Sequence, residues 1–325
     1  MEQLLKVENL KVSFFTDEGE IRAVDGISFD IEKGSVTAIV GESGCGKTVT
    51  ALAIMGLIQP PGKIIDGSIM YQGKELIKMN EAEYRKIRGA EITMMFQNPK
   101  AALNPLLTVG KQLTEVICYH KKVNRLEAKR QGYKQLRRVG ISEPERVMRC
   151  YPHELSGGMA QKVMMAIALS CNPKLLIADE PTSSIDVISQ AVILEMLKNL
   201  KSQTEISVLI ITHDITAASI LADKIIVIYA GKVVESGNKE RVLNNPQHPY
   251  TRGLLNSAAL IKKGKHLEPI KGNPVNCLNL PKGCRFSPRC SQVMKICLER
   301  EPILFDVKEN HKAACWSIHP FKTET

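Results

Sequence analysis

The run Gly41-Glu42-Ser43-Gly44-Cys45-Gly46-Lys47-Thr48 fits the pattern G-x-x-x-x-G-K-[ST]. Its glycines let backbone N–H groups turn inward, where they can cradle phosphate oxygens, with Ser43 and Cys45 carried on the same turn. A helix starting at the end of the turn adds partial positive charge. Lys47 can reach the β- and γ-phosphates, and the Thr48 hydroxyl can serve Mg²⁺. The chemistry implied is binding of a nucleoside triphosphate. A chance glycine turn is the bland alternative. The flanks weigh against it, because Val36 to Val40 has strand length and Thr48 to Ile58 reads as a helix closed by Pro60-Pro61-Gly62.

A second cluster is Leu175-Leu176-Ile177-Ala178-Asp179-Glu180, an apolar strand ending in two acids. Unpaired charge at the end of a buried strand is costly, so paired carboxylates there call for a reason. Asp179 can hold Mg²⁺ through its water shell, and Glu180 can polarise an attacking water as general base. A helix cap is the plain alternative. The third cluster is Leu155-Ser156-Gly157-Gly158-Met159-Ala160-Gln161, where Ser156 is a good N-cap and Gly157 and Gly158 expose N–H groups at a helix start.

These clusters need elements to position them. The first 35 residues alternate like antiparallel strands: Leu5 to Leu10, Val12 to Phe15, and Ala23 to Ile31 after a turn at Asp17-Glu18-Gly19. From about Ala101 to Arg149 the pattern is helical and basic, without strands. After Pro152 strands and helices alternate: a helix from Gly157, strand Leu175 to Ala178, helix Val187 to Lys201, strand Val208 to Thr212, helix Ile215 to Leu221, and strand Lys224 to Tyr229. Short apolar strands between helices predict an α/β fold with a mostly parallel sheet covered on both faces. From Lys262 onward glycine, proline and cysteine become frequent and the periodicity fades, which marks a C-terminal appendage.

Length and composition fit this plan. The chain has 325 residues, 44% hydrophobic and 24% charged, so one large domain plus an appendage is expected. No run approaches the roughly 18 apolar residues of a membrane helix. The start lacks the features of a secretory signal, and a cytosolic location is expected. Much of the +10 net charge lies between Lys121 and Arg149. That segment reads either as a nucleic-acid or anionic-lipid patch or, the preferred reading, as the solvated face of amphipathic helices. Tyr133 alone there gives no stacking platform.

Nine cysteines in a chain expected to be cytosolic argue against a disulfide framework. Cys284, Cys290, Cys297 and Cys315 are separated by five, six and seventeen residues, wider than the C-x₂₋₄-C pairs that grip zinc. Wider spacing suits a larger iron–sulfur cubane, with zinc or free thiols as alternatives. Cys277 reads as a spare thiol.

Taken together, the glycine loop, the acid-terminated strand and Leu155-Ser156-Gly157-Gly158 resemble the ABC superfamily of ATPases. The resemblance implies an ABC-type P-loop ATPase core with a mostly parallel sheet, an antiparallel β subdomain, a helical insert and a small Cys-rich C-terminal domain. It places a RecA-like ATP-binding core at 1–98 and 171–258, the helical subdomain with the signature at 99–170, and the Cys-rich domain at 259–325. It implies that Ser156, Gly157 and Gly158 bind the γ-phosphate held by a second ATPase subunit. It also implies that Gln97 senses Mg²⁺, that Asp186 in Ser184-Ile185-Asp186 is the D-loop carboxylate, and that His213 contacts the γ-phosphate. Phe14 is the candidate for stacking on adenine, with Phe15 or a plain core aromatic as alternatives.

Gln97-Asn98-Pro99 with Leu103-Asn104-Pro105, His248-Pro249-Tyr250-Thr251-Arg252 and Leu280-Pro281-Lys282-Gly283-Cys284-Arg285-Phe286-Ser287-Pro288-Arg289-Cys290 resemble the oligopeptide, dipeptide and nickel importer ATPases. Asn98, where Asp is common, and Ser184-Ile185, where Ala-Leu is usual, depart from that pattern without removing a catalytic group. That branch implies ATP, Mg²⁺ and a [4Fe–4S] cluster on Cys284, Cys290, Cys297 and Cys315. It implies a heterodimeric ATPase partner, two membrane permease subunits and an extracytoplasmic solute-binding protein, with no nucleic acid. The expected place of work is the cytoplasmic face of the membrane.

Overall fold

An unbroken apolar run in a strand must be covered on both faces, and Leu175–Asp179 opens with four apolar residues: all five of its residues are buried. The computed structural model describes residues 2–183, 185–263 and 270–319. Ser184, quoted in the D-loop reading, lies outside the described residues. The chain divides into two units.

The first unit comprises Glu32–Ser35 and Lys78–Ile211. Its sheet is parallel: Ile92–Met95 runs beside Leu175–Asp179, in register from Ile92 with Leu175 to Met95 with Ala178. The strand Ser207–Thr212 lies on the other side, from Ser207 with Leu175 to Ile211 with Asp179. Parallel pairing puts the carboxyl ends of these strands on one edge, where α/β proteins place their ligands. Burying a Leu or Ile side chain contributes about 1.5–3 kcal/mol. Leu175, Leu176 and Ile177 are all fully buried, which offsets the desolvation of Asp179 at 2% exposure.

Helices make up the rest of that unit, and the helix Gly157–Leu169 packs against Ile92–Met95. The basic stretch lies on Val109–Lys121, Arg125–Arg138 and Pro144–Val147. The three acids of this stretch each pair with an arginine: Glu127 with Arg130 at 2.9 Å, Glu145 with Arg137 at 2.7 Å and Glu143 with Arg146 at 3.0 Å.

The second unit comprises Glu2–Ile31, Val36–Ile77 and the chain from Thr212 onward. One sheet is antiparallel, in the order Gly19–Glu32, Gln3–Thr16, Gly62–Tyr71, Lys74–Glu75. Gln3–Thr16 is a single strand with a register shift between Glu8 and Lys11, not the two strands expected. The irregularity falls at Asn9, which has φ +47°.

The other strands of this unit begin with Val36–Val40, parallel to Lys224–Tyr229. Lys232–Asn238, His311–Ala313 and Phe305–Lys308 then follow antiparallel. The helix after the glycine loop, Lys47–Ile54, stops four residues short of the expected end because Gly56 takes a left-handed turn at φ +61°. Among the described residues no helix is long and apolar enough to cross a membrane.

Candidate active site

The residues expected to cradle phosphate, Gly41 to Thr48, belong to the second unit. Val36–Val40 runs fully buried into the loop, which Gly41 opens. A Cβ on Gly41 would lie 2.3 Å from the Ile228 carbonyl oxygen, and one on Gly46 would lie 2.2 Å from that of Ala23. Gly46 also has φ +102°, so no other residue fits there. Lys47 is buried and its Nζ donates to the carbonyls of Gly41 (2.7 Å) and Glu42 (2.9 Å). The ammonium group is thus held over the turn by the loop's own oxygens.

Ser43, Gly44 and Thr48 are exposed, and the buried Cys45 thiol is pushed up by desolvation, partly offset by Lys47. Phe14 is half-buried and pairs with Gly62, whereas Phe15 is exposed. His213 is exposed at the end of Ser207–Thr212, just before Asp214 caps the helix Ile215–Leu221 by accepting from the Thr216 N–H.

The remaining candidates belong to the first unit. Asp179 and Glu180 end their strand at 2% and 7% exposure. Glu180 has φ +49°, an uncommon conformation for a side-chain-bearing residue. Its backbone is bonded on both sides: the N–H donates to the Ile211 carbonyl at 2.8 Å, and its carbonyl accepts from Ser183 Oγ at 2.9 Å. Gln97 is exposed beyond the end of the neighbouring strand Ile92–Met95, on the same carboxyl edge. The adjacent Asn98 caps the short helix Pro99–Ala102.

Ser156 is exposed and its Oγ accepts from the Met159 N–H at 3.3 Å, as expected of an N-cap. Gly157 and Gly158 are half-buried behind it. Asp186 is exposed and caps Val187–Gln203, taking the Ser189 N–H at 2.9 Å and the Ser189 hydroxyl at 2.7 Å. Those two bonds hold its carboxyl below the usual range. One contributor had no role in the sequence reading: buried Gln161 donates from Nε2 to the Pro181 carbonyl at 2.9 Å, tying the signature helix to the turn after Glu180.

In the C-terminal region Cys284, Cys290, Cys297 and Cys315 line one cavity, with His248 and Trp316 among its other walls. None of the nine cysteines is in a disulfide. Burial, reinforced by the neighbouring thiols, pushes Cys284 up to about 11 and also raises Cys290. Among the described residues, no group of three or more His, Cys, Asp or Glu side chains is placed to hold a metal ion. The four thiols therefore share a cavity without closing on one point.

Comparison with known proteins agrees with this layout. The ABC transporter family matches residues 24–183, and the oligopeptide/dipeptide transporter C-terminal region matches 234–297. The chain is similar to the oligopeptide transport ATP-binding protein AppD of Bacillus subtilis, 49% identical over 97% of both chains. It is also similar to the oligopeptide transport ATP-binding protein OppD of Escherichia coli, 44% identical over 92% of this chain and 89% of that one. Among solved structures it is similar to the dimeric bacterial ABC transporter cassette MJ0796, with TM-score 0.66 and 27% identity over 73% of this chain and 99% of that one.

The chain belongs to the ABC transporter ATPases, P-loop proteins with an α/β core. Within them it is similar, over 97% of its length, to ATP-binding proteins of oligopeptide and dipeptide transport.

Proposed function

We propose that this chain is the ATP-hydrolysing subunit of a peptide importer and works as a head-to-tail dimer with a related ATPase subunit. It acts at the cytoplasmic face of a membrane, on two permease subunits fed by an extracytoplasmic solute-binding protein. A nickel chelate or similar small solute is the alternative cargo. The observation that carries the reading is the helix start at Ser156, exposed to solvent, in a chain that also owns a complete phosphate loop. One chain thus supplies the cradle for its own nucleotide and the cap for its neighbour's.

In this reading Gly41, Ser43, Gly44, Cys45, Gly46 and Lys47 wrap the β- and γ-phosphates, and Phe14 stacks on the adenine. Thr48, Asp179 and Gln97 are the residues that would serve Mg²⁺. Glu180 orients and deprotonates the attacking water, and His213 steadies the γ-phosphate. Ser156, Gly157, Gly158 and Asp186 serve the facing subunit. The same reading proposes the ATP-binding core at 1–98 and 171–258, the helical subdomain at 99–170 and the Cys-rich domain at 259–325.

Cys284, Cys290, Cys297 and Cys315 would hold a [4Fe–4S] cluster in the same reading. What supports it is four thiols lining one cavity, together with their wide spacing along the sequence. Such a cluster staples the small C-terminal region together. Anaerobic purification should give brown protein with four irons per chain; colourless protein with one zinc per chain would remove the cluster.

The test of the catalytic reading is Glu180→Gln. ATP binding should persist while turnover falls at least about 100-fold, and ATP should trap a dimer on gel filtration. Hydrolysis at the parental rate would show that Glu180 is not the base. Cells lacking the gene should regain uptake of labelled peptide with the parent chain and not with Glu180→Gln; restored nickel uptake instead would move the cargo to the alternative.

A further inference from the structure

Glu42, the second residue of the phosphate loop, is gripped at three places. Its N–H donates to the Tyr250 hydroxyl at 2.9 Å, and its carbonyl accepts from Lys47 Nζ at 2.9 Å. Its carboxylate meets the guanidinium of Arg289 in a fork, Nη1 to Oε2 at 2.6 Å and Nη2 to Oε1 at 3.0 Å. Two of these three grips come from the stretch 234–297 that matches the family's C-terminal region, Arg289 standing 247 positions further along the chain.

Arg289 is not a surface side chain that has found a nearby acid. Its side chain is 4% exposed. Its Nε donates to the Lys271 carbonyl at 3.2 Å and Nη2 to that of Ile270 at 3.4 Å, while the guanidinium lies 5.8 Å from the centre of the Tyr229 ring. The short turn Ser287–Arg289 that carries it is itself tied at both ends, Ser287 N–H to the Cys284 carbonyl and Cys290 N–H to that of Ser287. Tyr250 is fully buried and packs edge-on against Tyr229. Both partners of Glu42 are therefore preset, which is the arrangement in which a forked ion pair contributes most.

Glu42 is the single acid within Gly41–Thr48. An uncompensated carboxylate there would repel the phosphates the loop is built to hold. We infer that Arg289 and Tyr250 are positioning residues for nucleotide binding: Arg289 neutralises and fixes the Glu42 carboxylate, and Tyr250 fixes the Glu42 backbone. The C-terminal region thereby forms part of the wall of the phosphate loop. The inference rests on reading Gly41–Thr48 as that loop.

The test uses the full chain and titrates MgATP, reading Kd by binding and KM and kcat by hydrolysis. Arg289→Met should raise Kd and KM about tenfold, the loss of one charge-assisted bond, with kcat at saturation within about twofold. Arg289→Lys should recover part of the affinity. In a Glu42→Gln background Arg289→Met should change Kd less than about twofold, because no carboxylate remains to be neutralised. An unchanged Kd in Arg289→Met, or an equal loss in both backgrounds, would overturn the inference.

Should Arg289→Met not fold, Tyr250→Phe removes one oxygen atom from the same wall. It should raise Kd about threefold, less than half the free energy of the tenfold effect, and unchanged affinity there would overturn the inference equally. Lys47→Ala separates the two levels. If it also binds MgATP normally, the phosphate-loop reading fails; if it loses binding while Arg289→Met keeps it, only the present inference fails.

Discussion

In the phosphate loop four residues are firmly committed. Gly41 and Gly46 have no room for a Cβ, Lys47 lies over its own carbonyls, and Glu42 is bonded through its N–H, its carbonyl and its carboxylate. At the Ser156 helix tip the serine is exposed and its hydroxyl serves only the first turn of its own helix among the bonds described. The same contrast holds for Asp186, an exposed cap tied to Ser189. Gly41, Glu42, Gly46 and Lys47 are over-determined by the fold, whereas Ser156 and Asp186, proposed to meet a neighbour, are held by a local cap and left presented. Preset geometry suits a ligand bound within one chain; a surface completed by a second subunit can be fixed when that subunit arrives.

The contrast can be broken first at Gly46. Gly46→Ala puts a methyl 2.2 Å from the Ala23 carbonyl at a backbone φ of +102°. It should cost about 3 kcal/mol of stability and abolish nucleotide binding, measured by urea unfolding and MgATP titration. Ser156→Ala should be milder on the fold, about 1 kcal/mol for a lost cap, and should leave the monomer's MgATP affinity intact. In a Glu180→Gln background it should abolish the ATP-trapped dimer seen by gel filtration. If Ser156→Ala weakened monomer binding as much as Gly46→Ala does, the two regions would not differ in kind.

The smallest effect concerns the support of the loop. The Tyr250 N–H donates to His248 Nδ1 at 3.1 Å, so the residue that grips Glu42 rests on an imidazole that must be unprotonated on that nitrogen. Burial pulls His248 down to about 3, aided by nearby Arg252. An unfolded histidine titrates near 6.5, so between those values the unfolded chain binds a proton the folded chain refuses. The contribution is complete above about pH 6.5 and is lost as the pH falls from there toward 3. The melting temperature should fall by a few degrees between pH 7 and 5, and His248→Asn should flatten that slope.

The chemistry-bearing motifs were legible because each is contiguous: a strand, a turn and a helix carry the phosphate loop within the nineteen residues from Val36 to Ile54, and Asp179 and Glu180 end an unbroken apolar run. The strands Leu175–Asp179, Ser207–Thr212 and Lys224–Tyr229 were legible for the same reason. Gly62–Tyr71 was not, since Gly62 and Gly67 punctuate it and Asp66 interrupts its apolar alternation.

Lys232–Asn238 was also hidden. Its Glu235 looks solvent-facing in sequence yet is fully buried, where it takes the N–H groups of Gln247 and His248 and pairs with His311 at 2.8 Å. The motifs containing Tyr250 and Arg289 were visible as marks of a family branch, but their partner is the loop more than two hundred residues earlier. No local pattern encodes a contact of that span.

The left-handed backbone of Glu180 has a consequence for durability. A residue with a Cβ held at φ +49° forfeits about 1 kcal/mol that glycine would recover. The strain sits on the very carboxylate proposed to activate water, so relaxing it and keeping hydrolysis are incompatible at this position. Variants of this chain selected for heat resistance alone should drift toward glycine there, and the hardiest of them would be motors that grip fuel and never burn it.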